Sequence, residues 1–261
     1  MNKEFKVLWR KTENASINLG SVANVNFGKQ LRNRKIFKKD VIELSDIKLI
    51  KSPYKPCYTG RNVFRYQLCW GNLACLDNEV ARCGGCWAPE IQNAEVKIVT
   101  RQIGKYPEYA LDTLGYQCLN TMFMIILKDD NLNPYFIIGV LNSKLLQKYW
   151  LDHYYDQRRT FPKIKGTYLK QLPIYAIDFS NPTDKSRHDQ MVALVERMLS
   201  LHQRLHPRPA PPNPNSAPPT PDEKNILQRQ IDTTDRQIDQ LVYELYDLTD
   251  NEIKIVEESS K

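Results

Sequence analysis

The stretch that decides the fold is "DTTDRQIDQLVYELYDLTDNEIKIVE", residues 232–257. One apolar residue recurs every three or four positions, and charge fills almost everything else. With the residues just before it, the set Leu227, Ile231, Thr234, Ile238, Leu241, Leu245 and Leu248 alternates spacings of four and three. That is a heptad seam, and it favours a helical partner. Thr220-Pro221-Asp222-Glu223 supplies a capping box with proline at the first helical position. Thr249-Asp250-Asn251-Glu252 supplies another, for a short last helix.

Working back towards the N-terminus, "HPRPAPPNPNSAPPTP" (206–221) is too proline-rich for helix or sheet and reads as an extended linker. Before it, "SNPTD" (180–184) offers Asn181 as a helix cap with Pro182 at the first position. The helix it opens lines up Met191, Leu194, Val195, Met198, Leu199, His202 and Leu205. Two long helices joined by such a linker predict an antiparallel pair.

Residues 1–180 have a different grain. "FKVLW", "SVANVNF", "VKIVTRQI" and "MFMIIL" are rich in β-branched and aromatic residues and read as strands. "GVLNSKLLQKYWLDHYY" (139–155) reads as one helix. The mixture lacks regular βαβ alternation, so the expected class is α+β, a mixed-strand domain followed by a long antiparallel helix pair. The expected division is 1–180 for the domain, 181–206 for the first long helix, 207–221 for the linker, and 222–261 for the second long helix and the short last one.

Charge divides along the same line. Residues 222–261 hold 5 Lys/Arg against 11 Asp/Glu, while residues 1–221 hold 32 against 19. A body of net charge +13 suggests a polyanionic partner, most commonly nucleic acid. No apolar run approaches a membrane span, so no membrane partner is expected. The N-terminus carries no apolar signal core, which points to a cytoplasmic protein whose six cysteines are reduced thiols.

Five segments, in order, carry a family resemblance: "KPCYTGRNVFRY" (55–66), "VKIVTRQIG" (96–104), "NPYFIIGVLNSKLLQKYW" (133–150), "YLKQLPI" (168–174) and the closing "IDQLVYELYDLTDNEIKIVE". Together, from about Gly20 to Glu257, they resemble the TaqI-like C-terminal specificity domain. That domain is the target-recognition part of adenine-specific DNA methyltransferases and type IIG restriction–modification enzymes, and it is similar to type I specificity subunits. The resemblance implies sequence-specific recognition of double-stranded DNA on behalf of a methyltransferase or nuclease, within restriction–modification or related phage defence. The seam residues Ile231, Ile238, Leu241, Leu245 and Leu248 are expected to bury against the 186–205 helix, against a catalytic subunit or a second copy of the chain, or both.

The catalytic parts of such an enzyme are not apparent. An amino-methyltransferase needs an Asn-Pro-Pro-Tyr/Phe loop. The nearest match, Asn133-Pro134-Tyr135-Phe136, lacks the second proline and reads as the start of a strand. No glycine-rich turn for a methyl donor stands out. A recognition module without catalytic residues is therefore expected. Two alternatives compete with it. Asp77, Glu95 and Lys97 have the residue types of a metal-dependent nuclease, although Glu-x-Lys is common in basic chains. A coiled-coil assembly protein with incidental positive charge is the other.

No cofactor is expected either, with structural zinc as the competing reading. Cys69, Cys75, Cys83 and Cys86 lie within 18 residues, and Cys83-Gly-Gly-Cys86 has the spacing of a zinc knuckle. The first pair is Cys-x5-Cys, longer than usual, which favours free thiols.

Three clusters supply candidate DNA contacts. "GKQLRNRKIFKK" (28–39) holds Lys29, Arg32, Arg34, Lys35, Lys38 and Lys39 with Gln30, cations suited to phosphates. "YYDQRRTFPKIKGTY" (154–168) holds Gln157, which could read adenine, and Arg158 and Arg159, which could grip guanine edges, with Lys163 and Lys165 behind them. Arg101 and Gln102 close the "VKIVTRQIG" strand, where side chains can reach a groove.

Overall fold

Asn133 and Asn181 each precede a proline, and in the computed structural model each caps a helix. Their side-chain oxygens accept hydrogen bonds from the backbone N–H groups of Tyr135 and Thr183, at 2.8 and 2.9 Å. The structure describes residues 3–129, 131–157, 160–206 and 219–258. The expected linker 207–221 thus lies almost wholly outside the described residues, as do Arg158 and Arg159.

The chain runs α1 (Lys3–Asn14), β1 (Ser16–Asn18), α2 (Leu19–Val22), β2 (Ala23–Phe27), β3 (Gln30–Leu31), β4 (Val41–Glu43), β5 (Tyr54–Tyr58), β6 (Val63–Phe64), β7 (Gln67–Leu68), β8 (Leu73–Leu76) and β9 (Arg82–Gly84). It continues through α3 (Pro89–Gln92), β10 (Lys97–Arg101), β11 (Tyr109–Asp112), β12 (Gln117–Cys118), β13 (Met122–Leu127), α4 (Pro134–Leu141), α5 (Lys144–His153), α6 (Gly166–Leu169) and β14 (Pro173–Tyr175). The helices α7 (Pro182–Leu205), α8 (Pro221–Leu245) and α9 (Asp250–Glu258) close it.

A four-stranded antiparallel sheet, ordered β11-β10-β13-β2, lies at the centre. Its apolar runs are nearly continuous because both faces are buried. Ile98, Tyr109, Leu111, Phe123 and Ile125 face the helices, while Val99, Ala110, Met122 and Met124 pack with Tyr58, Val63, Leu68 and Tyr116. A second sheet, β12-β5-β8-β4, is mixed, with β12 parallel to β5 and the other pairs antiparallel. The α+β class is what the sequence pattern implied.

Three local expectations fail. "FKVLW" is not a strand. Phe5, Leu8, Trp9 and Thr12 are spaced at one face of a helix, and α1 buries Leu8, Trp9 and Thr12. Nor is 139–155 one helix. Ser143 caps a new helix, accepting from the Leu146 N–H at 3.3 Å, so α4 ends at Leu141 and α5 begins at Lys144. The Asn133-Pro134 step opens α4 and not a strand.

The helix pair forms, and it is no appendage. Met191, Val195, Met198 and Leu201 of α7 and Leu227, Ile231, Ile238, Leu241 and Leu245 of α8 belong to one core with Leu8, Trp9, Ile98 and Trp150. Helix α4 approaches α7 at Gly139, where a Cβ would clash with the Met191 side chain. Polar bonds fasten the rest. Tyr246 donates from its hydroxyl to the Pro173 carbonyl at 3.0 Å, and Asp239 accepts from the Lys144 N–H at 2.9 Å. Lys144 also reaches Glu257 at 2.6 Å, and Glu257 accepts from the Tyr243 hydroxyl at 2.8 Å.

Of the two coverings expected for Ile231, Ile238, Leu241 and Leu245, the chain's own first long helix supplies one, and these four are not left open to a partner. Ile238 is 0% exposed, and the other three are buried by the chain's own elements. Leu248 is half-buried against the same core. A seam that is narrow on one helix is here covered from two sides, by α7 and by α4 and α5. Among the described residues, no helix is long and apolar enough to cross a membrane.

Candidate nucleic-acid interface

The turn at residues 118–122, between β12 and β13, holds two of the cationic segments in place. On one side, the Gly28 N–H donates to the Met122 carbonyl at 3.0 Å, and the Lys29 N–H to the Cys118 carbonyl at 2.8 Å. The approach is so close that a Cβ on Gly28 would clash with the Leu119 backbone. On the other side, the Gln102 N–H donates to the Thr121 carbonyl at 2.8 Å. The Gln102 carbonyl in turn accepts from the Ile164 N–H at 2.8 Å, which draws in residues 162–165. The Gly60 N–H donates to the Thr121 hydroxyl at 2.8 Å, placing exposed Arg61 beside the same turn.

Three clusters spread between residues 28 and 168 are thus joined by backbone bonds, which need no side chains. Between the 28–34 segment and Asn120 lies a concavity of about 340 Å³, lined by Gln30, Arg32, Asn33, Arg34 and Cys83.

The candidate side chains divide by their own partners. Gln30, Arg34, Lys35, Lys38 and Lys39 are exposed, with no ion pair among the described residues. Gln157 and Lys163 are exposed too, and Lys165 is exposed with its ammonium 5.0 Å from the Tyr168 ring centre. Gln102 is half-buried. Three others are already engaged. Arg32 donates two bonds to the buried Asp40 carboxylate, at 2.9 and 2.6 Å, and stacks 3.9 Å over Phe37. The hydrogen bond to Asp40 also raises the Arg32 pKa, so its charge is fixed. Arg101 pairs with Glu108 at 2.5 Å.

Lys29 is the plain correction among them. It is 2% exposed, bonded to Asp77 and set 4.6 Å from the Trp87 ring centre. Burial alone would raise the Asp77 carboxyl, but hydrogen bonds from Lys29 and Lys55 outweigh it and hold the pKa below its ordinary value. Lys29 is a structural cation, and its place in a basic run concealed that.

The nuclease constellation is not assembled. Lys97 and Asp112 form a fully buried ion pair at 2.7 Å, Asp77 is held by two lysines, and Glu95 is exposed elsewhere. Lys97 serves the core by donating to the Gln92 and Tyr116 carbonyls at 2.7 and 3.3 Å.

The four candidate zinc thiolates are not gathered either. Cys75 is buried beside Cys57 and Leu119, Cys83 is exposed, and Cys69 and Cys86 are half-buried. Among the described residues, no three His, Cys, Asp or Glu side chains are placed to hold one metal ion.

Residues 55–174 match the TaqI-like C-terminal specificity domain. The matched stretch runs from β5 to β14, narrower than the span of the resemblance, and it includes Arg101, Gln102, Lys163 and the 118–122 turn. The 28–40 segment lies outside it.

Among solved structures, the chain is similar to the type IIL restriction–modification enzyme MmeI, itself determined in complex with DNA. Identity is 8% and the TM-score 0.56, over 92% of this chain and 35% of MmeI. That likeness covers the 55–174 stretch together with the helices on either side of it, and it is a likeness of fold. Weaker similarity is found to the HsdS subunit from Thermoanaerobacter tengcongensis, at 10% identity and TM-score 0.41 over 89% of this chain and 50% of that one. The type I S subunit from M. genitalium gives 14% and 0.39 over 92% and 50%. The chain therefore spans about a third to a half of these proteins. No curated protein sequence matches it.

Sequence reasoning missed Thr121, Asn120 and Arg61. Arg61 stood inside the "TGRN" of the first family segment, but nothing local said that its turn would meet residue 121. Arg65, four residues on, is spent on structure. It donates twice to the Asn142 carbonyl, at 2.9 and 2.6 Å, and pairs with Asp235 of α8.

Proposed function

We propose that this chain is the DNA target-recognition module of a restriction–modification or related phage-defence system. It grips duplex DNA with the surface around the 118–122 turn. The observation that carries the reading is the gathering of the 28–40, 101–104 and 162–165 segments at one turn of a specificity domain. Exposed Arg34, Lys35, Lys38, Lys39 and Lys163 would meet phosphates and set register, while Gln30, Gln102 and Gln157 have the donor–acceptor pairs that read adenine edges. Arg158 and Arg159, next to Gln157 in sequence, would join them.

Chemistry is assigned to a separate methyltransferase or nuclease, either a partner subunit or a further part of a longer chain. The dispersal of Asp77, Glu95 and Lys97 supports that division. Because α8 buries its seam inside the chain, a protein partner would meet the outer face of the helix pair.

The test is duplex binding as a function of salt. The purified chain should lose affinity steeply as salt rises. Replacing Arg34, Lys35, Lys38 and Lys39 with Ala should weaken binding to all sequences alike and flatten the log–log slope by about 0.9 per lost phosphate contact. A duplex affinity that ignores both salt and these substitutions would remove the reading.

A further inference from the structure

Phe161 combines two properties that a folded chain ordinarily avoids. Its side chain is 71% exposed, and its backbone stands at φ +56°, the left-handed region that bulky residues rarely adopt. Neither serves the core. A glycine at this position would relieve the backbone and remove the ring from water.

The position is nevertheless firmly anchored. One residue on, the Pro162 carbonyl accepts from the Gly104 N–H at 3.1 Å. Lys163 bridges Ile103 in antiparallel register, and its N–H donates to the Asp156 carboxylate at 3.2 Å. Ile103 is itself 39% exposed, so two apolar side chains project from one joined pair of segments. Exposed Lys105, Lys163 and Lys165 flank them. Phe37, an exposed phenylalanine of the 28–39 run, differs, because the Arg32 guanidinium covers its ring.

An apolar tip inside a cationic setting suits one surface in particular. The cations hold phosphates, and the apolar groups enter the stacked interior between base pairs, as wedge residues do in proteins that kink DNA. A strained backbone at such a tip holds the ring outwards before DNA arrives. We propose that Phe161 is a DNA wedge, inserted at a base step next to the recognised sequence and unstacking it. The proposal rests on the reading of the chain as a duplex-recognition module.

The test uses a closed-circular plasmid relaxed by a topoisomerase in the presence of saturating protein, alongside affinity for short random-sequence duplexes. Insertion unwinds DNA and shifts the topoisomers left after deproteinisation. The unmodified chain and Phe161→Trp should both give the shift. Phe161→Gly should abolish it and bind linear duplex about ten-fold more weakly, the loss of one ring stacked on a base. Its thermal midpoint should stay level or rise, since the strain is gone. Lys163→Ala should weaken binding yet keep the shift at saturation. If the unmodified chain binds duplex but gives no shift, or Phe161→Gly shifts topoisomers as it does, the wedge is overturned while DNA recognition stands. If the unmodified chain binds no duplex at all, both fail together.

Discussion

The 28–40 segment and helix α8 carry opposite charge, and they use it in opposite ways. The segment leaves Arg34, Lys35, Lys38 and Lys39 in water, with no ion pair among the described residues. Helix α8 turns two of its carboxylates inwards, Asp235 to Arg65 and Asp239 to the Lys144 N–H. An acidic helix on a basic body therefore acts as a fastening. The difference teaches that net charge cannot separate a surface kept for a partner from one consumed in folding. Burial and the nearest opposite charge decide.

The largest effect is expected at α8. Ile238 is fully buried in the core shared by helix pair and sheet. Ile238→Asp places an unpaired charge there and should cost more than about 4 kcal/mol, unfolding much of the protein. Denaturant titration checks it. A folded Ile238→Asp that merely changed its assembly state would restore the helix pair as a docking device.

Next comes a cation from the body. Lys97→Ala leaves the buried Asp112 carboxylate uncompensated, and about 3–5 kcal/mol of stability should go with it. DNA affinity per folded molecule should hold, because the lysine touches only the core. Loss of plasmid cleavage in a still-stable variant would instead revive the nuclease reading.

How much of this was legible beforehand follows from range. Features fixed within a few residues could be read: the caps at Asn181, Thr220 and Thr249, the periodicity of α8, and the central strands rich in β-branched residues. Features fixed by distant chain could not. Nothing near Lys29 announces Asp77, forty-eight residues away, and nothing near Gln102 announces Thr121 or Ile164. The heptad seam was read correctly as a pattern, with its covering left open between the first long helix and a partner. Spacing says that a helix is covered on one side, and only the tertiary structure says by what. "FKVLW" failed for the opposite reason, since five residues are too few to tell a period of 3.6 from one of 2.

The junction also carries a pH signature with two opposing members. Burial raises the Asp239 pKa to about 6 from an ordinary 3.8, even though Arg65 and the Lys144 N–H pull it down. Its protonated form therefore favours the fold, a contribution complete below 3.8 and lost as pH rises through 6. Burial lowers His202 to about 4 from 6.5, so neutral imidazole favours the fold, and that contribution is lost as pH falls from 6.5 towards 4. The two act over nearly the same window with opposite sign. Wild-type stability should change little between pH 7 and pH 5. Asp239→Asn should make it fall on acidification, whereas His202→Gln should make it rise. Thermal midpoints at the two pH values decide, and parallel behaviour of both variants would dissolve the pairing.

The smallest effect sharpens the comparison most, because it lies within one basic run. Lys29 and Lys39 are ten residues apart and would look equivalent in any charge count. Lys29→Met removes charged hydrogen bonding from the partly buried Asp77, which keeps only Lys55, and should cost about 1.5–3 kcal/mol. Lys39→Met removes a side chain exposed to water and should fall within about 0.5 kcal/mol of wild type. On duplex DNA the order should reverse. Lys39→Met should weaken binding and reduce its salt slope, while folded Lys29→Met binds as wild type does. Equal stability losses for the two would mean that the run is one solvated surface throughout. Equal losses of DNA affinity would mean that burial does not separate structural cations from binding ones here.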